Sequence, residues 1–168
     1  MTPGWVLIFM LSLKLLLLLL IANGAPILCS KFFGNRFSLP VDFGVRLKDG
    51  FPLFGSSKTF RGLISAVLVV TAFAVLLGFE WQTGLLIGVW AMLGDLFSSF
   101  VKRRLGMTPS SMALGLDQIP EALFPLIAVS SIVGLTWWQI TYLVVLFIVV
   151  ELVLSRILYT LKIRKKPY

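Results

Sequence analysis

The chain has 168 residues, 58% of them hydrophobic, and a mean hydropathy of +0.99, which excludes an ordinary soluble domain. It contains no histidine and a single cysteine, Cys29, which excludes an internal disulfide, a cysteine-based zinc site and the usual general base near neutral pH. The formal net charge of +8 suits an anionic membrane surface, a phosphate-bearing substrate, or both.

Five apolar segments predict an all-α integral membrane protein with about five transmembrane helices, forming one domain over residues 1–168. In chain order the predicted helices cover residues 5–21, 63–79, 85–101, 119–135 and 138–158. The links over about 22–62 and 102–118 are long, whereas the other two are tight turns. Trp81, Trp137 and Trp138 stand at these turns, as interfacial anchors do.

The distribution of basic residues predicts the topology, because cytoplasmic links are enriched in lysine and arginine. Both tight turns lack basic residues, while both long links and the C-terminal tail carry them. These residues are Lys31, Arg36, Arg46, Lys48, Lys58 and Arg61, then Lys102, Arg103 and Arg104, then Lys162, Arg164, Lys165 and Lys166. We therefore expect a multi-pass protein of the cell membrane, with the N-terminus outside and the long links and C-terminus in the cytoplasm.

A polar face is predicted on helix three. Asp95, Ser98, Ser99 and Lys102 follow the i, i+3, i+4, i+7 spacing that places side chains on one face of a helix. Asp95 lies about two turns from the cytoplasmic end, where a carboxylate is costly unless it is paired, protonated or bound to a metal. Two interpretations are open: a structural ion pair with Lys102 or Lys58, or a polar pocket that opens to the cytoplasm.

Two further segments lead to the same side of the membrane. Asp117, Gln118 and Glu121 stand at the start of helix four, where acidic residues either cap the helix or face the pocket. The stretch "GSSKTFRG" before helix two combines small residues with cations. It either binds an anion at the helix N-terminus or simply supplies the positive charge of a cytoplasmic link.

The residue types favour nucleotidyl or phosphoryl transfer. Asp95 and Asp117, on separate helices, suit Mg²⁺, which binds oxygen ligands and bridges to phosphates. The surrounding cations suit a triphosphate, and catalysis would consist mostly of positioning and charge neutralisation. A phosphate nucleophile is already ionised near neutral pH, so no histidine base is required.

Several motifs occur in an order that resembles a known family. "IANGAP", "PVDFG", "KDG", "GSSKTFRG", "GDLFSSFVKRRLG" and "GLDQIPEAL" are similar to motifs of the CDP-archaeol synthases, small membrane cytidylyltransferases. The resemblance implies five transmembrane helices and a Mg²⁺-dependent reaction. CTP and an isoprenoid glycerol-ether lipid phosphate would give the CDP-lipid, in phospholipid biosynthesis, and pyrophosphate.

The resemblance also assigns roles to residues. It implies that Asp95 and Asp117 carry the metal and, with Lys102, form the catalytic set. The implied substrate-binding residues are Lys58, Thr59, Arg61, Ser98, Ser99, Arg103 and Gln118. Ser99, Lys102 and Arg103 match the S-x-x-K-R core of the related CDP-diacylglycerol synthases, whose later lysine–aspartate pair and histidine have no counterpart here. The expected partners are CTP, the lipid phosphate and the bilayer, without nucleic acid, and the oligomeric state is left open.

Several residues leave more than one interpretation of the substrate, of the function or of their own role. Glu121 stands where an apolar residue is expected in archaeal members, so the same chemistry on a bacterial, phosphatidic-acid-like lipid phosphate is one alternative. A non-enzymatic membrane transporter or scaffold is another. Lys14 and Glu151 predict an ion pair between helices one and five, although lysine snorkelling is equally open. Asn23 and Asp42 match family motifs, with a turn or cap as their simplest role.

Overall fold

The computed structural model describes residues 4–162 and contains five α-helices in that range, which confirms the predicted all-α class. The helices are α1 (Gly4–Phe33), α2 (Phe60–Leu76), α3 (Trp81–Arg104), α4 (Gln118–Val133) and α5 (Trp137–Thr160). The tail cations Arg164, Lys165 and Lys166, on which part of the topology prediction rests, lie outside the described residues.

Three helices are long and apolar enough to cross a membrane. These are α1, α3 and α5, with 30, 24 and 24 residues. The other two are apolar but shorter, with 17 residues in α2 and 16 in α4. At about 1.5 Å per residue, α2 measures about 25 Å against a hydrocarbon layer of about 30 Å. Helix α2 is therefore slightly shorter than that layer.

Helix α1 is longer than predicted, because it continues through "NGAPILCS" to Phe33, and the first link covers only 34–59 rather than 22–62. Asn-Gly and a following proline are typical of turns, which is why the sequence predicted an earlier end. Packing outweighs that preference here, since Ala22 and Ala25 continue the buried face of α1. Gly62 of α2 leaves room for Pro26, whose Cβ would lie 3.4 Å from a Cβ at that glycine.

Helix α3 lies between α2 and α4, and glycines bring all three close together. A Cβ on Gly88 would lie 2.9 Å from the Val67 Cα of α2. A Cβ on Gly94 would lie 2.3 Å from the Pro120 carbonyl oxygen of α4. The approach at Gly88 sets the register between α3 and α2, and the approach at Gly94 sets that between α3 and α4. Helices α1 and α5 complete the bundle.

The predicted ion pair between Lys14 and Glu151 is wrong. Lys14 Nζ donates to the Leu77 carbonyl oxygen at 2.7 Å, at the end of α2, while Glu151 accepts a hydrogen bond from Gln118. The cause is the length of α1, whose first turns extend past the end of α2. Lys14 therefore lies at the opposite end of the bundle from the start of α4, which Glu151 contacts.

Candidate active site

Two ion pairs lie at the end of the bundle where α2 and α4 begin and α3 ends. Lys58 Nζ is 2.5 Å from Asp95 Oδ1, and Lys102 Nζ is 2.6 Å from Asp117 Oδ1. Lys102 also donates to the Ser111 carbonyl oxygen at 2.9 Å. The structure thus brings together the four charged residues that the sequence placed in one polar pocket. Asp95 has a lysine partner and lies beside a cavity, so the two interpretations of this residue both hold in part.

Glu121 belongs to the same cluster, whereas the sequence left it open between capping the helix and facing the pocket. Its carboxyl group lies close to that of Asp95, and its side chain is buried. The two groups are close because Gly94 lets the first turn of α4 approach α3 closely. Sequence analysis identified the polar residue but could not predict the interhelical distance that makes it a neighbour of Asp95.

The electrostatics of Lys58 follow from its three acidic neighbours. Burial alone would lower its pKa, but Asp95, then Glu121 and Asp117, raise the pKa of Lys58 above its ordinary value. Lys58 is therefore a cation at neutral pH. A cation held beside carboxylates at the membrane edge can exchange these partners for the phosphates of a ligand.

Arg103 provides the clearest sign of an anionic ligand. Its side chain is only 2% exposed, yet its Nε and Nη1 atoms have no hydrogen-bond partner among the described residues. The carboxylate of Asp117 acts electrostatically on the Arg103 guanidinium. The Arg103 Cδ lies 3.8 Å from the position that a Cβ would take on Gly55. Buried guanidinium groups are costly unless they are paired, so a phosphate is the group that this position suits.

A cavity of about 280 Å³ opens beside Asp95, between the end of α1 and the start of α2. Four predicted site residues line it, namely Lys58, Thr59, Arg61 and Asp95. The others, Ser98, Ser99, Lys102, Arg103, Asp117 and Gln118, do not. The predicted site therefore has two halves, a cavity on the α1–α2 side and a set of charged and polar side chains on the α3–α4 side, which meet at Asp95.

Thr59 and Arg61 both have structural partners in the cavity wall. Thr59 is the N-cap of α2, and its hydroxyl accepts a hydrogen bond from the Gly62 N–H at 3.2 Å. Arg61 donates to the carbonyl oxygens of Gly34 and Arg36, just past the end of α1. Its Nε has no hydrogen-bond partner in residues 4–162, so the guanidinium retains one unused donor.

Three other predicted site residues are directed into the protein. Ser98 and Ser99 are fully buried, and the Ser98 hydroxyl donates to the Asp95 carbonyl oxygen at 3.0 Å. Gln118 donates to Glu151 Oε2 at 3.2 Å and accepts from the Gly115 N–H at 2.9 Å. These bonds support the helix ends that carry Asp95 and Asp117. Direct contact of the three residues with a substrate stays a prediction.

The start of α4 is held by Asp117 in an unexpected way. Asp117 has helical backbone angles, and its side chain does not cap the helix. Instead, Asp117 Oδ2 accepts a hydrogen bond from the Ala113 N–H at 2.8 Å while Oδ1 pairs with Lys102. The carboxylate therefore ties the preceding loop to α3 rather than following the capping role that its position suggested.

Asp42 supports the loop that carries Lys58. Asp42 Oδ2 accepts from the backbone N–H groups of Phe54 and Gly55 at 2.9 and 2.7 Å, and Oδ1 accepts from that of Gly44 at 3.0 Å. Burial alone would raise the pKa of Asp42, but the three N–H donors lower it below its ordinary value. Sequence analysis found this residue in a motif and could not assign it, because its partners lie 12 and 13 positions away.

Known proteins are similar to this chain over nearly its whole length. A family profile described as CarS-like, CDP-archaeol synthase, matches residues 73–168. A CDP-archaeol synthase of Saccharolobus islandicus is 36% identical over 165 residues, which cover 95% of this chain and 96% of the relative. The chain belongs to the CDP-archaeol synthase family. Another such synthase, from Sulfurisphaera tokodaii, is 34% identical over 155 residues, covering 89% of this chain and 90% of the relative.

A solved structure supports the membrane setting of this family member. It is described as that of an intramembrane enzyme for archaeal membrane lipids biosynthesis. It is similar at a TM-score of 0.74 and 30% identity, covering 86% of this chain and 92% of that one. Together with the apolar helices, this similarity identifies the protein as a membrane-embedded enzyme.

Proposed function

We propose that the protein transfers CMP from CTP to a membrane lipid phosphate, giving a CDP-lipid and pyrophosphate. Membership of the CDP-archaeol synthase family supports this assignment. The observation that carries it is the pairing of Lys58 with Asp95 and of Lys102 with Asp117. Beside these pairs lies Arg103, whose buried Nε and Nη1 have no hydrogen-bond partner within residues 4–162. In the absence of substrate the carboxylates neutralise the lysines, and substrate phosphates would replace them.

The proposed reaction needs no protein base. An ionised oxygen of the lipid phosphate attacks the α-phosphorus of CTP, the bond between that phosphorus and the α–β bridging oxygen breaks, and pyrophosphate leaves. Lys58 and Arg61, in the cavity wall, would bind phosphate groups on one side of Asp95. Lys102 and Arg103 would bind them on the other side and stabilise the negative charge that develops on the leaving group.

The acidic residues fit a magnesium ion. Asp95 and Glu121 lie close together, and Asp117 lies within electrostatic range of Glu121. Within residues 4–162, no three histidine, cysteine, aspartate or glutamate side chains converge closely enough to hold a metal ion by themselves. Mg²⁺ commonly takes only one or two carboxylates, with water and substrate phosphates as its other ligands. When bound, the ion would neutralise phosphate charge. We propose Asp95 and Asp117 as its ligands, with Glu121 beside them.

The lipid is the less constrained substrate. The family name points to an archaeol-type, ether-linked lipid phosphate such as 2,3-di-O-geranylgeranylglyceryl phosphate. The charged cluster suits the phosphate that every candidate lipid shares. The same site would act on a phosphatidic-acid-like lipid, which makes a panel of lipid phosphates part of the test.

The position of a radioactive label tests the proposal. Purified protein in mixed micelles is incubated with Mg²⁺, a lipid phosphate and CTP labelled at either the α- or the γ-phosphorus. We expect the α label in the lipid extract and the γ label in pyrophosphate. A γ label in the lipid would indicate phosphoryl transfer instead. Absence of any labelled lipid with every lipid phosphate in the panel would contradict the proposed function.

A further inference from the structure

The first link contains a segment in which exposed aromatic side chains alternate with cations. This aromatic segment covers residues 31–51. Its exposed aromatics are Phe32, Phe33, Phe37, Phe43 and Phe51, at 85%, 50%, 77%, 68% and 40% exposure. Its exposed cations are Lys31, Arg36, Arg46 and Lys48. Of its two acidic residues, Asp42 is buried and Asp49 pairs with Arg104 at 2.6 Å, so the exposed surface of the segment is basic.

Contacts with α2 show where the segment lies relative to the membrane. The Phe43 ring packs against that of Phe60, the first residue of α2, with centroids 5.5 Å apart. Two backbone hydrogen bonds run alongside, from the Val41 N–H to the Lys58 carbonyl oxygen and from the Phe60 N–H to that of Leu39. Because α2 is slightly shorter than the hydrocarbon layer, it cannot carry Phe60 beyond that layer, so Phe60 and the residues beside it lie at or just inside its edge.

The aromatic side chains are exposed in spite of a backbone cost. Phe37 and Phe43 have φ values of +57° and +48°, in a region that bulky residues rarely adopt. Phe37 packs only edge-on against Phe33, with ring centroids 6.5 Å apart. Aromatic rings flanked by lysine and arginine are the composition that peripheral segments use in the headgroup layer of a membrane.

We propose that the aromatic segment lies in the headgroup layer and binds anionic lipid headgroups of the bilayer in which the protein sits. The phenylalanines enter the upper part of the hydrocarbon layer, and the four cations attract the lipid phosphates. The segment adjoins the candidate active site, because its residues Gly34, Asn35 and Ser38 line the cavity beside Asp95. Anionic lipid is thus concentrated at the mouth of that cavity. The binding surface itself does not depend on the proposed function.

Fluorescence quenching tests the position of the segment. Phe37→Cys or Phe43→Cys is introduced in a Cys29→Ser background, labelled with the NBD fluorophore and reconstituted into phosphatidylcholine vesicles. We expect strong quenching by lipids with a nitroxide in the headgroup or upper chain, and weak quenching by aqueous iodide. Thr108→Cys, exposed in the link between α3 and α4 with no phenylalanine near it in sequence, is the matched control. Quenching of both segment probes by iodide as readily as the Thr108 probe would overturn the proposal.

A second comparison tests the headgroup charge. The same nitroxide is placed on phosphatidylglycerol or on phosphatidylcholine at equal total amounts in mixed vesicles. We expect the anionic lipid to quench the Phe37 probe more strongly, and this excess to disappear when Lys31, Arg36 and Lys48 are replaced by glutamine. Equal quenching by the two lipids in the unaltered segment would contradict the anionic preference. Neither measurement requires CTP or turnover, so failure here is distinguishable from failure of the proposed reaction.

Discussion

Asp42 lies beneath the loop that carries Lys58, and its carboxylate holds three backbone N–H groups of residues 44–55. Asparagine at this position keeps the size but presents an amide N–H₂ to N–H donors. Hydrogen bonds to a charged group contribute about 1.5–3 kcal/mol, so we expect Asp42→Asn to lower the free energy of unfolding by about that much. Turnover should also fall while the protein remains folded, because Lys58 is no longer held in place.

Asp49→Asn is the matched control for this substitution. Asp49 lies in the same loop and accepts one backbone N–H, from Phe51 at 3.1 Å, but its side chain is 41% exposed. Exposed ion pairs contribute little, so we expect a change in stability of less than about 1 kcal/mol. Thermal unfolding in detergent and initial rates of CDP-lipid formation measure the two effects. Equal losses in both variants would contradict a special role for Asp42.

The lowered pKa of Asp42 predicts an acid-dependent stability difference. A carboxyl group whose pKa is lower in the folded state stabilises the protein above its unfolded pKa, and this contribution is lost as the pH falls through the folded value. The stability advantage of the unaltered protein over Asp42→Asn should therefore be complete at neutral pH and shrink below about pH 4. Unfolding of both proteins across this range is the measurement. An advantage that grows on acidification would contradict the assignment.

At the residue scale, sequence analysis identified most of the charged cluster and two candidate partners for Asp95, Lys102 and Lys58. The helical spacing of Asp95 and Lys102 predicted a shared face, and both residues lie at the site. The structure pairs Asp95 with Lys58 and Lys102 with Asp117, a choice that no local rule predicts because Lys58 reaches Asp95 from a link. Glu121 joined the cluster for the same reason: its contact with Asp95 depends on packing between two helices.

At the element scale, the contact between α3 and α4 makes the cluster possible. A methyl group at Gly94 would lie 2.3 Å from the Pro120 carbonyl oxygen and 2.8 Å from the Glu121 nitrogen, both of them backbone atoms. Overpacking of this kind costs about 1–3 kcal/mol or forces the helices apart. We expect Gly94→Ala to lower the unfolding temperature and to reduce turnover further than stability alone explains, because Glu121 moves away from Asp95.

Gly24→Ala is the control for this prediction. Gly24 is also inside a helix, but a Cβ there would have no atom within 4 Å. Alanine favours helices over glycine, so this substitution should leave stability unchanged or slightly higher. Unfolding temperature and rate are measured for both variants. A Gly94→Ala protein as stable and active as Gly24→Ala would show that α3 and α4 do not approach this closely.

Helix boundaries were predicted where hydropathy decided them and missed where packing did. The ends of α2, α3, α4 and α5 lie within a few residues of the predicted positions, since apolar runs and tight turns define them. The end of α1 was missed because "NGAP" has the composition of a turn. Tertiary contacts explain why the helix continues to Phe33: the burial of Ala22 and Ala25, the packing of Pro26 against Gly62 and the hydrogen bonds from Arg61.

At the scale of the whole molecule, we propose that the charged cluster faces the cytoplasm, where CTP is available. In a Cys29→Ser background, a cysteine replacing Gln82 lies at the opposite end of the bundle from one replacing Lys48, and both positions are exposed. We expect a membrane-impermeant thiol reagent to label the Gln82 variant in intact cells and the Lys48 variant only after lysis. The reverse pattern would place the cluster on the outer face.

The central claim is that the carboxylates of the cluster act in the reaction and do not merely neutralise lysines. The most direct test is the Mg²⁺ dependence of CDP-lipid formation, compared between Asp95→Asn and Lys58→Met. If Asp95 served only to pair with Lys58, the two variants would lose activity alike and keep the same Mg²⁺ requirement. We predict that both variants fold, that Asp95→Asn loses activity by orders of magnitude and needs more Mg²⁺, and that Lys58→Met needs more CTP at an unchanged Mg²⁺ requirement. Near-normal CDP-lipid formation by Asp95→Asn, or the same Mg²⁺ requirement in both variants, would contradict the account.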